Sequence, residues 1–214
     1  MSEINKSRVM TDWVPGVPAT DGAGVKLTRM IGTTQLDMID PFLLLDRIDS
    51  DDPDSYIAGF PDHPHRGFET LTIIQEGLMR HKDSVGNEGV IGPGDVQWMT
   101  AGRGIIHSEM PEMIEGRLSG FQLWVNLPSH LKMTEPSYQD ISVHDIPLSV
   151  FEGGHVRVIA GAYDHKKGPA IPKIEARILD ILLESNVPWS VEPPIHMNLF
   201  MCVYDGSINT KNNL

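Results

Sequence analysis

The sequence has little cysteine, little positive charge and no long apolar runs. Its single cysteine, Cys202, excludes an internal disulfide and any zinc or iron–sulfur site built from cysteines. Seventeen lysines and arginines against 29 acidic residues give a net charge of −12, which disfavours direct binding to nucleic acid. No apolar run approaches the ~18 residues of a membrane-spanning helix, and the N-terminus has no stretch typical of a secretory signal. We therefore expect a cytoplasmic protein that neither inserts into membranes nor binds nucleic acid directly.

Glycine and proline are plentiful, with 20 and 16 residues spread along the 214-residue chain. They separate short apolar segments rich in β-branched and aromatic residues, a pattern typical of an all-β sandwich or barrel. One of these segments, residues 176–183, fits a helix equally well. The predicted strands are residues 25–31, 70–74, 96–99, 121–127, 156–160, 176–183 and 199–204.

A polar, turn-rich stretch at residues 131–146 predicts a linker between two domains. We expect a first domain at residues 1–130 and a second at residues 147–214. The second resembles a diverged copy of the first, because His65 and His196 each precede an apolar segment that ends in an acidic residue and a glycine. Far fewer residues follow this pattern in the second domain, so we expect its barrel to be incomplete and to leave an open sheet edge.

Two closely spaced pairs of potential metal ligands carry the strongest chemical signal: His63 with His65, and His107 with Glu109. Residues i and i+2 of a strand point to the same side, so each pair can direct two donors at one point. Imidazoles and a carboxylate suit iron, nickel, copper, manganese or zinc, and four such ligands leave two positions open on an octahedral ion. Because about 0.4 His-x-His pairs are expected by chance, the alternative is two unrelated histidine pairs, exposed or hydrogen-bonded.

Longer motifs favour the metal site. Residues 59–70 and 93–111, which contain the two pairs, resemble the signature of the pirin family, a branch of the cupins. Residues 41–46 and 120–127 match the same family in the expected order. The resemblance covers the chain from about Val25 onward. It implies an all-β bicupin fold of two stacked barrels, with one metal ion, usually iron, in the N-terminal barrel only.

The resemblance also assigns individual residues. The family's metal ligands fall on His63, His65, His107 and Glu109. Glu69 occupies the glutamate of the general cupin signature, and the resemblance implies a supporting or structural role for it. His196 has Pro194, not a histidine, two positions earlier, which agrees with a C-terminal barrel that binds no metal.

Some pirins cleave flavonols such as quercetin and release carbon monoxide. The resemblance therefore implies a quercetinase-type dioxygenase, an oxidoreductase acting on an enolisable substrate with O2. Glu109 would serve as metal ligand and as catalytic base. Iron(II) is the expected metal, with nickel, copper, manganese and zinc left open. Other pirins are interaction proteins, which implies the alternative of an iron-dependent, redox-sensing transcriptional co-regulator that binds a protein partner and turns over no substrate.

The remaining polar features have simpler interpretations. The acidic run at residues 46–54 lacks the spacing of a calcium loop and predicts a solvated loop. Five histidines have no potential ligand two residues away and are expected to be solvent-facing or hydrogen-bonded. These are His81, His130, His144, His155 and His165.

Overall fold

The computed structural model describes residues 10–113 and 115–210, and every regular element in this part is a strand or a short 3-10 turn. This confirms the all-β prediction. The 3-10 turns are Pro53–Ser55, Ser129–Leu131 and Val143–Asp145. The strands are β1 Val17–Asp21, β2 Val25–Ile31, β3 Phe42–Ser50, β4 Phe60–His65, β5 Phe68–Glu76, β6 Met79–Asp83, β7 Glu88–Ile91, β8 Val96–Thr100, β9 Ile105–Pro111, β10 Leu118–Asn126, β11 Ser137–Ile141, β12 Leu148–Phe151, β13 Gly154–Ala160, β14 Ala162–Tyr163, β15 Lys166–Lys167 and β16 Ile178–Leu183. In these residues no helix has the length and apolar character needed to span a membrane.

The first half of the chain forms two antiparallel sheets that face each other across a shared interior. One has seven strands in the order β1-β2-β3-β10-β5-β8-β11, and the other has four in the order β4-β9-β6-β7. Val25, Leu27 and Ile48 from the larger sheet pack against Met79 and Ile91 from the smaller one. The two sheets are the walls of the predicted N-terminal cupin barrel.

The seven-stranded sheet is buried on both faces. Because side chains alternate along a strand, its outer face carries a different set of residues from its inner face. On the outer face, Leu71 and Trp98 pack with Ile159, Ala160 and Ala170 from the second half of the chain. The two halves of the protein therefore share one apolar core across this sheet.

Six polar residues cross the inner face of the seven-stranded sheet in a line, one from each of six neighbouring strands. We call them the polar row. Cross-strand pairing aligns them in the order Arg29, Asp46, Gln122, Thr72, Gln97, Asp140. Hydrogen bonds of 2.7 to 2.8 Å join the first residue to the second, the third to the fourth and the fifth to the sixth. Since buried polar groups are costly without partners, this pairing stabilises the buried members of the row, and Asp140 at its end is exposed.

The prediction of a solvated loop at residues 46–54 is wrong for its first five residues, which end strand β3. Asp46 is buried there, and both of its carboxylate oxygens accept hydrogen bonds from the Arg29 guanidinium, at 2.8 and 2.7 Å. Only the remainder, around the turn Pro53–Ser55, lies in a loop. The sequence shows that Asp46 is acidic, but it does not show that Arg29, 17 residues earlier, lies beside it on the neighbouring strand.

Within the described residues, the second half of the chain forms a three-stranded sheet in the order β12-β13-β16 and a hairpin of β14 and β15. This sheet is open at β12 and β16, in line with the expected unclosed second barrel. Residues 176–183, which fitted helix or strand, form β16 from Ile178 onward and pair with β13. Strand β11 lies inside the predicted linker and pairs with β8. The division at residues 131–146 stays a prediction.

The strand predicted at residues 199–204 is wrong, because no described strand lies beside this segment to complete a ladder. Its side chains nevertheless alternate. Phe200 packs on Phe42 with ring centroids 5.0 Å apart, and Tyr204 packs on Phe121 at 5.4 Å. Cys202 lies between them and is half-buried. The alternating apolar pattern of residues 199–204 therefore reflects packing against the seven-stranded sheet and not pairing as one of its strands.

We expect Arg29→Met to lower the free energy of unfolding by about 3–5 kcal/mol, because it leaves the buried Asp46 carboxylate without its cation. The Asp46 side chain is 7% exposed, against 72% for Glu135 in its pair with Arg103. Urea denaturation followed by circular dichroism measures the change. The control Arg103→Met should cost only about 0–1 kcal/mol. Equal losses in the two variants would contradict this account.

Candidate metal centre

Strands β4 and β9 lie side by side in the four-stranded sheet and carry all four predicted ligands. Their antiparallel register places His63 opposite His107 and Pro64 opposite Ile106. Alternation along each strand turns the histidines inward, so that Ile106 is 48% exposed while His107 is 1% exposed. With His65 on the inner side of β4 as well, three of the predicted residues meet inside the barrel.

The three imidazoles form one compact cluster. Each offers a ring nitrogen within 4.8 Å of those of the other two. Nε2 of His63 lies 3.0 Å from Nε2 of His65. Nδ1 of His63 lies 2.8 Å from the carbonyl oxygen of Pro61, to which it donates its hydrogen. In the neutral ring this leaves the Nε2 lone pair of His63 facing the cluster.

Burial keeps two of the imidazoles neutral. It lowers the pKa of His65 to about 3, with help from the adjacent His107 and His63. Burial, followed by the proximity of His63, likewise lowers the pKa of His107 to about 3. Neither ring nitrogen of His107 has a hydrogen-bond partner among the described residues. Neutral rings with nitrogens gathered at one place are a donor set that suits a divalent transition metal, so the residues fit the metal that the resemblance implies.

Glu109, the fourth predicted ligand, lies beside the histidines but is held from the opposite sheet. It is buried, and its carboxylate accepts a hydrogen bond from the Gln122 amide at 2.8 Å, while the Thr72 hydroxyl oxygen lies 3.1 Å from its other oxygen. Burial raises the pKa of Glu109, and the nearby His63 opposes this shift. In the described part of the chain, the group of ligand atoms within 4.8 Å of one another contains the three histidines and not this carboxylate. Ligation by Glu109 stays a prediction.

Glu69 lies on the outer face of the seven-stranded sheet, away from the histidines. It is fully buried, and its carboxylate accepts hydrogen bonds from the Thr100 hydroxyl at 2.7 Å and from the Lys173 backbone N–H at 3.1 Å. The second of these bonds joins the sheet to the second half of the chain. This geometry agrees with the structural role that the resemblance implied for Glu69.

His81 is a neighbour of the site that sequence reasoning missed. It is 2% exposed, and its register on β6 places it opposite Glu109. Its ring stacks on Tyr138, with centroids 5.5 Å apart, and its Nε2 lies 3.5 Å from the Asp140 carboxylate. The available signal was the alternation in β6, where His81 is buried while the next residue, Lys82, is exposed. Because side chains alternate along β6, His81 belongs to the set that faces the barrel interior.

A cavity of about 510 Å³ opens on the histidine cluster. Its polar lining includes His63, His65 and Glu109 together with Thr72, Gln122 and three aspartates. The indole of Trp124 meets His65 edge-on at 5.1 Å and forms part of the wall. The rest of the wall is mainly apolar, with contributions from Leu27, Ile48, Phe60, Ile74, Leu118 and Phe121. A mostly apolar cleft with a few convergent polar groups is typical of a small-molecule site.

Comparison with known proteins identifies the family. The pirin family profile matches residues 24–125. A pirin-like protein from Caulobacter vibrioides is 49% identical over 205 residues, which cover 94% of this chain and 74% of the relative. The chain belongs to the pirin family. Its histidine cluster lies inside the segment that the profile matches.

Solved structures resemble this pirin in fold as well as sequence. A crystal structure of quercetin 2,3-dioxygenase from Acinetobacter baumannii superposes with a TM-score of 0.71 at 41% identity, over 78% of this chain and 61% of the solved one. A crystal structure of a bacterial pirin from Escherichia coli in complex with nickel(II) gives a TM-score of 0.51 at 25% identity, over 58% of this chain and 53% of the other. The three-histidine cluster and these neighbours together support a divalent metal site.

We expect the protein to bind about one divalent ion per chain and His63→Ala to lose it, because removing one imidazole opens a cluster that has few other donors. Elemental analysis after anaerobic reconstitution with iron(II) or nickel(II) measures the stoichiometry. His130→Ala is the control, since His130 is exposed in the turn Ser129–Leu131 and should leave metal content unchanged. Absence of metal from the wild type would contradict the site.

We expect Glu69→Ala to retain the metal while losing about 1–3 kcal/mol of stability, because the buried Thr100 hydroxyl and the Lys173 backbone N–H lose their acceptor. Urea denaturation and elemental analysis on the same sample separate the two effects. Glu69→Gln should lose less, since its amide oxygen still accepts one hydrogen bond. A folded Glu69→Ala protein without metal would show that Glu69 belongs to the centre.

Proposed function

We propose that this pirin is a metal-dependent dioxygenase that opens the ring of a flavonol or a similar enolisable substrate with O2. His63, His65, His107 and Glu109 would hold one divalent ion. The observation that carries the proposal is the cluster of three imidazoles, two of them kept neutral by burial, beside a mainly apolar cavity. The similarity to a solved quercetin 2,3-dioxygenase supports the same reaction class.

The bound ion would supply a Lewis acid that polarises the substrate's enol oxygen and brings the substrate together with dioxygen. Imidazole and carboxylate suit both iron(II), which the family resemblance implies, and nickel(II), which the related Escherichia coli pirin holds. The His63 Nδ1–H, donated to the Pro61 carbonyl, fixes the orientation of the ring so that its Nε2 faces the other histidines, where it would hold the ion.

Glu109 would accept the proton of the substrate's enol hydroxyl. Its burial raises its pKa, so its carboxylate is a stronger base than an exposed one. Both atoms of O2 would enter the products, one ring carbon would leave as carbon monoxide, and Glu109 would return the proton to the opened product. The cavity's role is to bind the aromatic rings: Phe60 and Trp124 offer ring surfaces, and the apolar wall excludes water.

The alternative of a redox-sensing interaction protein has no specific observation in its favour. The net charge of −12 favours a protein partner over nucleic acid but identifies no binding surface. The cavity at the histidine cluster is instead a feature that a small-molecule substrate would use.

We expect Glu109→Gln to lower kcat for quercetin, per bound metal, by about 10²–10⁴-fold, because the amide cannot accept the proton. The assay follows the flavonol's absorbance in air, with carbon monoxide captured and metal content measured on each sample. An anaerobic reaction is the blank, and the exposed Glu135→Gln should behave as wild type. Unchanged turnover per metal in Glu109→Gln would contradict the role of Glu109, and a metal-loaded wild type without flavonol turnover would contradict the reaction.

A further inference from the structure

The carboxylate of Glu109 is held by two residues of the opposite sheet that have no role in the chemistry above. Gln122 lies on β10 and Thr72 on β5, and the two are directly paired across these strands. The Gln122 amide donates to Oε2 of Glu109 at 2.8 Å, and the Thr72 hydroxyl lies 3.1 Å from Oε1. Both oxygens of the buried carboxylate therefore lie close to a polar group on the wall that faces the histidine strands, and the Gln122 amide donates a hydrogen bond to one of them.

The hydrogens available to this group fix its orientation. Thr72 has one hydroxyl hydrogen and two nearby acceptors, Oε1 of Gln122 at 2.8 Å and Oε1 of Glu109 at 3.1 Å. The shorter contact is to Gln122. A hydroxyl that donates there holds the amide oxygen towards Thr72 and the amide nitrogen towards Glu109. The reversed amide would place an oxygen against the carboxylate, where neither atom has a hydrogen to donate.

The neighbours of Gln122 and Thr72 in the polar row have hydrogen-bond partners of their own. Asp46 is paired opposite Gln122 on one side, and Gln97 is paired opposite Thr72 on the other. Each of these outer neighbours is fixed by its own partner, since Asp46 is bonded to Arg29 and Gln97 donates to Asp140 at 2.8 Å. Gln122 and Thr72 therefore lie on strands that cannot shift in register without breaking the pairs of Asp46 with Arg29 and of Gln97 with Asp140.

We propose that Gln122, oriented by Thr72, is a positioning residue that aims the Glu109 carboxylate at the three-histidine cluster. The proposal rests on ligation by Glu109, which is part of the proposed function. Gln122 acts through Glu109 and not on the substrate. Removing such a supporting hydrogen bond typically weakens metal binding by about 10–100-fold.

Titration calorimetry with nickel(II) on metal-free protein tests this without reference to turnover. Gln122→Met keeps the length of the side chain but cannot donate, and it should weaken nickel(II) binding by about 10–100-fold. In the Glu109→Ala background the same substitution should change the affinity by less than about twofold, because its target is gone. Thr72→Val should resemble Gln122→Met, and Thr72→Ser, which keeps the hydroxyl, should restore binding.

Three outcomes would overturn the proposal. They are unchanged affinity in Gln122→Met, an equal loss with and without Glu109, and failure of Thr72→Ser to restore what Thr72→Val loses. If Gln122→Met does not fold, as judged by thermal unfolding of the metal-free protein, the Thr72 pair of variants decides alone. The Glu109→Ala variant distinguishes ligation by Glu109 from the positioning role of Gln122. Unchanged affinity in that single variant contradicts the proposed ligand set itself, whereas a loss there with none in Gln122→Met contradicts only the positioning role.

Discussion

The antiparallel pairing of β4 with β9 is the interaction on which the candidate site depends. Backbone hydrogen bonds set a register that places His63 opposite His107, and strand alternation turns both side chains into the barrel. A shift of one residue would point them to solvent and bring Pro64 and Ile106 inside. The position of His65 follows from the same alternation. The convergence of three donors is therefore a property of one strand pair.

Enclosing such a cluster requires the barrel to neutralise, pair or hydrogen-bond the charged groups brought with it. His65 and His107 meet this requirement by remaining neutral, since burial lowers the pKa of each to about 3. Glu109 meets it through the hydrogen bond that Gln122 donates from the opposite sheet. Asp46 meets it through Arg29. Polar groups paired in this way can surround a reactive centre without opening the interior to water.

The seven-stranded sheet does two different tasks with its two faces. Its inner face carries the polar row that contacts Glu109, and its outer face carries Glu69 and the apolar residues that bind the second half of the chain. Neighbouring residues of one strand, such as Leu71 and Thr72, therefore serve different parts of the protein. The second half contributes packing to the wall of the site, although none of the predicted ligands comes from it.

The sequence by itself determined the fold class, the family and the three histidines, because two-residue spacing in a strand fixes which side chains share a face. It also separated Glu69 from the ligands through its place in the family motif. Only the tertiary structure decided which residues surround them. Thr72, Gln122 and the buried His81 lie on strands other than those that carry the ligands. Asp46 looks like part of a solvated acidic run until Arg29 lies beside it. The strand predicted at residues 199–204 fails for the same reason: an apolar pattern reports burial, whereas a ladder partner exists only when another strand is placed alongside.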